Sequence, residues 1–204
     1  MRQAPVLLAL GLGLLSVPLT SSAQAQSREW ELTEDSTVRF VCAGPEVTQA
    51  ARGRFATVGG RITLDPSTPS SARGAVQIEM VSITTWDAAW DMMFRRAGFL
   101  EIDEHPHARF TLQNVVAGAA LGAEWSRITL VGTISVRGVE RPLRVAARAR
   151  LLPAEGDVPQ RVEVSASFPV AWDDFGIRVP TGWTRRFAGD HAAVEVHLFY
   201  RPRG

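Results

Sequence analysis

Side chains able to do chemistry are few in this chain, and their spacing limits what they can do together. Of the 4 histidines, only His105 and His107, on either side of Pro106, lie close in sequence. On extended backbone, residues two apart share a face, so this pair could offer two imidazoles to a metal ion. No cysteine, further histidine or regularly spaced carboxylate completes a ligand set, and metal binding gains no support. Asp173 and Asp174 are adjacent, but neighbours on a strand point to opposite faces and cannot work as a carboxylate pair. No serine stands in a nucleophile elbow with a recognisable order of His and Asp partners. Val58-Gly59-Gly60 sits at a strand turn rather than before a helix, so it does not read as a phosphate loop. The single cysteine, Cys42, has no neighbouring base in the apolar string VRFVCA and reads as a small buried residue. A lone cysteine also makes no internal disulfide, so stability must come from packing. The residues point to no catalysis, no metal and no cofactor.

The elements that would position any site are mostly strands. Apolar residues alternate at Val38, Phe40 and Cys42; at Ile62 and Leu64; and at Val76, Ile78 and Met80. The pattern resumes with Phe110 and Leu112, then runs from Ile128 to Val136, from Leu143 to Leu151, from Val162 to Val170 and from Val194 to Leu198. Turn signals separate the runs: Gly59-Gly60, Asp65-Pro66, Gly118 to Gly122, Arg137-Gly138, Pro153 to Pro159 and Gly189-Asp190. Roughly eight to ten short-spaced strands predict an all-β domain whose antiparallel sheet closes on itself and so removes its exposed edges. Alternation alone leaves a sandwich open as the competing architecture.

One stretch interrupts the pattern. From Ser82 to Phe110 a strand-like piece gives way to an amphipathic helical segment and then to a strand entered through His105-Pro106. Trp86, Trp90, Phe94 and Ala97 recur at spacings of four, four and three, which predicts an aromatic stripe on one helical face. Asp87, Asp91, Arg95 and Arg96 fall largely off it.

This stretch resembles the central signature of the YceI-like family of secreted bacterial lipid-binding proteins, which runs roughly S-I-x-T, an R-D-x-x-L helix, then F-F/L-D/E-x-x-x-Y/H-P-x-I-x-F. The matching residues are Ser82, Ile83, Thr85, Asp91, Phe94, Phe99, Leu100, Glu101, Pro106 and Phe110. Downstream, Ile134 to Val145 resembles the family's L-x-x-x-G-x-x-x-P-V/L strand pair, and Asp173 to Ile177 its S-D-F-G-I/M element. With Trp30 and Gly53-Arg54-Phe55, the likeness covers nearly everything after residue 28. It implies an extended, lipocalin-like antiparallel barrel of about eight strands with one helical insertion.

The likeness also implies a ligand: a polyisoprenoid, such as a quinone or prenyl lipid, held in an apolar barrel interior without chemistry. The residues expected to contact its tail or close the tunnel are Phe40, Phe55, Ile78, Trp90, Phe94, Phe99, Phe110, Leu130, Ile134, Trp172 and Phe175. Two positions depart from the family pattern, since Trp90 and Trp172 stand where the family commonly has arginines. If those positions neighbour a head group, the exchange trades charge for aromatic surface and favours a less anionic ligand. Trp183, beside Gly182 and Arg185-Arg186, is a further rim candidate for a ligand head or a membrane surface. The competing readings are a solid barrel acting as a stress-protective or protein-interaction module, and a calycin-like enzyme with an unrecognised site. The aromatic helix also offers a dimer contact.

Composition and the N-terminus bound the setting. All 22 basic residues are arginine, against 21 acidic ones, for a net charge of +1. With no basic block, nucleic acid is a poor partner. Arg2, the apolar run Val6 to Leu15 and the small residues ending in Ala23-Gln24-Ala25 form the pattern of a secretory leader, residues 1–25, cleaved after Ala25. The run is shorter than the roughly 20 residues a spanning helix needs. Residues 26–204 then form one domain, expected in the periplasm or outside the cell.

Overall fold

The computed structural model describes residues 27–204 apart from 46, 97 and 180–184. The expected leader, Ala97, Gly182 and Trp183 fall outside those residues. The strands are β1 (Arg28–Leu32), β2 (Thr37–Ala43), β3 (Arg52–Phe55), β4 (Val58–Leu64), β5 (Arg73–Glu79), β6 (Ile83–Thr84), β7 (His107–Ala117), β8 (Ser126–Val136), β9 (Val139–Leu152), β10 (Arg161–Ala171) and β11 (His191–Pro202). Helix α1 (Ala88–Arg95) lies between β6 and β7, and the single turn α2 (Arg185–Ala188) precedes β11.

Pairing follows chain order. β1 and β2 are two halves of one bent strand: β1 pairs with β4 and the end of β11, while β2 pairs with β3 and the start of β11. β3 with β4, and β5 with β6, are likewise bent strands, since β4 pairs with β5 and β3 with β6. Eleven segments therefore make a closed antiparallel barrel of eight strands, the architecture the alternation and the resemblance predict. Two bends lie side by side and are stitched together: the amide of Ala56 donates to Ser82 O (3.1 Å), that of Thr57 to Ser82 Oγ (3.0 Å), and that of Glu79 to Thr57 O (3.1 Å). A bulge between Leu112 and Asn114 resets the alternation, so that Leu112 and Val115, three apart, both point inward and are buried.

The barrel has two ends with different fillings. At one end Trp30 is fully buried and its indole N–H donates to Leu64 O (3.1 Å), and a 3₁₀ turn at Pro69–Ser71 follows β4. Asp65 holds that turn's approach by accepting from the Ser67 amide (2.9 Å) and hydroxyl (2.7 Å). At the other end an aromatic cluster and α1 cover the opening. Asp87 caps α1 by accepting from the amides of Ala89 (2.8 Å) and Trp90 (3.3 Å). Outside the barrel, Arg148 and Arg150 stack their guanidinium groups on Trp125, 5.1 and 4.6 Å from the ring centre.

One ion pair ties three loops together beside the covered opening. Arg137, in the β8–β9 turn, pairs with Glu101 of the α1–β7 connection. It also donates to Gly176 O (2.6 Å), in the turn after β10, while Glu101 accepts from the Gly98 amide (2.7 Å). Both residues take left-handed backbone, φ 52 at Arg137 and 49 at Glu101. The Arg137 hydrogen bond, and next the Gly98 amide, hold the Glu101 carboxyl below its ordinary range. A carboxyl that ionises more readily in the folded chain gives stability that is present above the unfolded value and is lost as pH falls through the folded one. Melting temperature should thus fall further from about pH 7 to about pH 3 in the native chain than in Glu101→Gln, which should start lower at neutral pH; equal acid losses would contradict the assignment.

Candidate functional site

Several side chains that point inward along the strands are not fully buried. Phe55, Ile78, Phe110, Leu130, Ile134, Leu143, Phe168, Val194 and Val196 are only partly buried, although β-alternation turns them to the interior. Their free surface faces cavities. The larger, of about 140 Å³, lies in the half of the barrel covered by α1. Its wall includes Phe40, Phe55, Ile78, Phe94, Phe110, Leu130, Ile134 and Trp172. Arg109 is the one charged residue at that wall, and it is exposed. A second cavity, of about 70 Å³, lies toward the Trp30 end. The two share Val76, Phe110, Leu130 and Leu198 as a common wall.

Glycine makes room for the aromatic rings that shape this space. A Cβ on Gly53 would sit 2.7 Å from Phe40 Cζ, and one on Gly132 would sit 2.8 Å from Phe110 Cζ. Each ring therefore lies flat over a strand position that any other residue would fill.

The aromatic cluster over the larger cavity is continuous. The Phe40 ring centre is 5.7 Å from that of Phe55 and 5.4 Å from that of Phe94. Phe94 meets Phe99 edge-on at 5.0 Å, and Phe99 lies 5.6 Å from Trp172. Trp90 packs against Phe187 of α2, ring centres 4.8 Å apart and planes tilted by 56°. The Trp172 indole N–H is engaged with Ala188 O at 3.0 Å. Trp90 and Trp172 thus belong to an apolar closure, and neither brings a charge to the cavity.

Of the eleven residues expected to contact a ligand's tail or close the tunnel, eight line the larger cavity, and Trp90, Phe99 and Phe175 stand outside its wall. Phe99 forms a layer behind Phe94 and Trp172, Trp90 holds α2, and Phe175 is buried where its carbonyl accepts from Arg137 (3.4 Å). Sequence reasoning missed Met80, Ile83, Leu100 and Ile177, which also line the wall. Met80 could have been found from its place in the alternation with Val76 and Ile78.

The other expectations divide. Trp90 and Phe94 share a helical face, but Trp86 does not join them: it precedes α1 with φ 61 and is 71% exposed. The helix begins only after its Asp87 cap, so the i, i+4 spacing from Trp86 has no helical meaning. Asp173 and Asp174 lie on a 3₁₀ turn rather than a strand, and both are exposed. Cys42 is fully buried, and burial pushes its thiol up to about 12, so no nucleophilic thiolate forms at neutral pH. His105 lies with Glu101 and Glu104, their ligating atoms within 4.8 Å, but Arg137 and the Gly98 amide already occupy the Glu101 carboxylate.

Comparison with known proteins agrees with the geometry. Among solved structures, a polyisoprenoid binding domain from Saccharophagus degradans, described as implicated in plant cell wall breakdown, superposes with a TM-score of 0.65 at 18% identity, covering 85% of this chain and 98% of that one. BcnA of Burkholderia cenocepacia superposes with a TM-score of 0.64 at 15% identity, covering 80% and 95%. At these identities the likeness is one of fold. A UPF0312 protein of Pseudomonas putida strain GB-1 is 26% identical over 180 residues, 85% of this chain and 86% of its own length. Another, from Pectobacterium carotovorum, is 29% identical over 133 residues, of whose length the chain spans 65%. The YceI-like domain matches residues 30–199, and the chain belongs to that family.

Proposed function

We propose that this protein binds the hydrocarbon part of an isoprenoid lipid whose head carries little or no charge, such as a prenyl alcohol or a quinone. The observation that carries the reading is the larger cavity, walled by Phe, Leu, Ile and Val that keep free surface toward its interior. A polar or charged ligand would lose its hydration there without hydrogen-bond partners, which costs several kcal/mol. By comparison with an apolar cavity of about 150 Å³ that holds benzene, a cavity of about 140 Å³ admits roughly six carbons, about one isoprene unit. At about 0.8 kcal/mol per buried carbon, these gain about 5 kcal/mol before an association cost of at least about 4 kcal/mol. A chain of that length is then held only weakly, and each further buried carbon counts. The relative from Saccharophagus degradans, named for polyisoprenoid binding, supports the same ligand class. The role is carriage or sequestration without chemistry. A solid-barrel interaction module would need continuous packing where the two cavities lie.

Loading from a membrane fits the outer face of α1. Val81, Trp86 and Met92 are three of the five large apolar side chains that the described residues expose. Met92 lies about half a turn from Phe94, which lines the cavity, and Arg95 donates to Val81 O (3.1 Å). Exposed Arg95 and Arg96 border the patch. An indole, a thioether and two cations suit a phospholipid interface.

Three measurements test this reading. Organic extraction of protein purified from its native envelope should yield an isoprenoid by mass spectrometry, and Leu130→Trp or Ile134→Trp should abolish it while the far-ultraviolet spectrum stays unchanged; undiminished lipid in those variants would refute the cavity as the site. Trp86→Ser with Met92→Ser should slow uptake from phosphatidylglycerol vesicles about tenfold and leave uptake from dilute ethanol unaltered; a change in oligomeric state instead would make the patch a dimer contact. If the protein is exported as its leader suggests, its intact mass should match a chain starting at Gln26, and a retained leader would place it elsewhere.

A further inference from the structure

The outer wall of the barrel carries charge that the interior does not use. Arg39 of β2, Arg54 of β3, Arg127 of β8 and Arg148 of β9 are exposed, and none of the four forms an ion pair with another described residue. Strand register sets them face to face in like-charge pairs, Arg127 directly opposite Arg148 and Arg39 directly opposite Arg54. Cations opposed across two strands weaken a sheet. An anion seated between two guanidinium groups replaces that repulsion with charge-assisted hydrogen bonds.

Arg127, Arg148 and Arg39 line one shallow groove, of about 1110 Å³, which crosses the outer wall from β7 to β2. Ser165, Ser167, Thr129 and Thr37 line it as well, and none of these hydroxyls is hydrogen-bonded to another described residue. Acidic groups do little to neutralise it. Glu163 is buried and engaged by Arg150 and His197, and Glu195, directly opposite Arg39, forms no ion pair with it. Four strand intervals separate the middle of one arginine pair from the middle of the other, about 19 Å along the wall at about 4.8 Å per interval. A single small anion therefore reaches one pair only.

We propose that this groove binds an acidic polysaccharide, with one anionic group between Arg127 and Arg148, another between Arg39 and Arg54, and sugar hydroxyls on the serines and threonines along the way. The site lies on the opposite side of the sheet from the lipid cavity and does not rest on the lipid-binding reading. A nucleic-acid strand wants aromatic platforms for its bases, and no Phe, Tyr or Trp lines the groove. An acidic peptide that adds as a strand needs a free sheet edge, which a closed barrel lacks. A bilayer is flat, whereas the groove follows a curved wall.

The test titrates the protein with alginate oligomers of two and of eight uronate residues, read by calorimetry. The octamer should bind at least about tenfold more tightly than the dimer, and should lose at least about tenfold in affinity between about 50 and 200 mM salt. Neutral dextran should not bind. Arg127→Gln and Arg39→Gln should each weaken the octamer about threefold or more. The double variant should hold the octamer no better than the dimer, while its melting temperature stays level or rises, because each change removes a like-charge contact. Leu130→Trp, which fills the lipid cavity, should bind the octamer as the native protein does, so the two sites fail separately. An octamer bound no more tightly than the dimer, or held equally by the double variant, would overturn the proposal. So would a single-stranded oligonucleotide or a phosphatidylglycerol vesicle bound as tightly as the octamer through the same two arginines.

Discussion

An eight-stranded ring encloses an interior about as wide as the side chains that point into it, so the size of each inward residue decides between a core and a cavity. Here the inward positions mix large residues with small ones. Phe40, Phe110, Leu130 and Phe168 alternate around the wall with Gly53, Gly132, Ala147, Ala149 and Ala166. The glycines let two phenylalanine rings lie against the strands instead of across the lumen. Hollow space survives at two levels as a result, while the ends are closed by Trp30 on one side and by the aromatic cluster on the other.

The closures are built differently, and the difference sorts their roles. At the Trp30 end, the indole N–H holds the Leu64 carbonyl and Asp65 holds the turn that follows it. At the other end, closure depends on ring-to-ring contacts among side chains from α1, β2 and the turn after β10. Such contacts are worth about 0.5–1.5 kcal/mol each beyond their buried area. The Glu101–Arg137 pair anchors one side of that end by joining three loops.

Much of this was legible in the sequence. Period-two alternation located every long strand and placed the inward residues on the correct face, because a half-buried antiparallel strand carries that pattern residue by residue. The barrel itself needed the family resemblance, since alternation is the same in a sandwich. What the sequence concealed were features that depend on distant contacts. Two of the three bends that divide strands are held by cross-strand hydrogen bonds around Ser82 and Thr57, and the third by Thr33 and Ser36 against Phe199. The retreat of Phe99 and Phe175 behind the cavity wall depends on how loops fold over the end of the barrel. The split of the interior into two cavities depends on where Val76, Phe110, Leu130 and Leu198 come to rest.

Trp86 shows what the exposed rim costs the chain. An L-residue in left-handed backbone is strained by about 1–2 kcal/mol, and Trp86 holds φ 61 with its indole mostly in water. Glycine would take that backbone freely and, after its own entropy cost of about 0.5–1 kcal/mol, would leave the fold as stable or slightly more so. Folding alone gives no reason to keep an indole there. The position therefore sets a strained, mostly solvated indole at the rim of the barrel, where it adds surface and no packing.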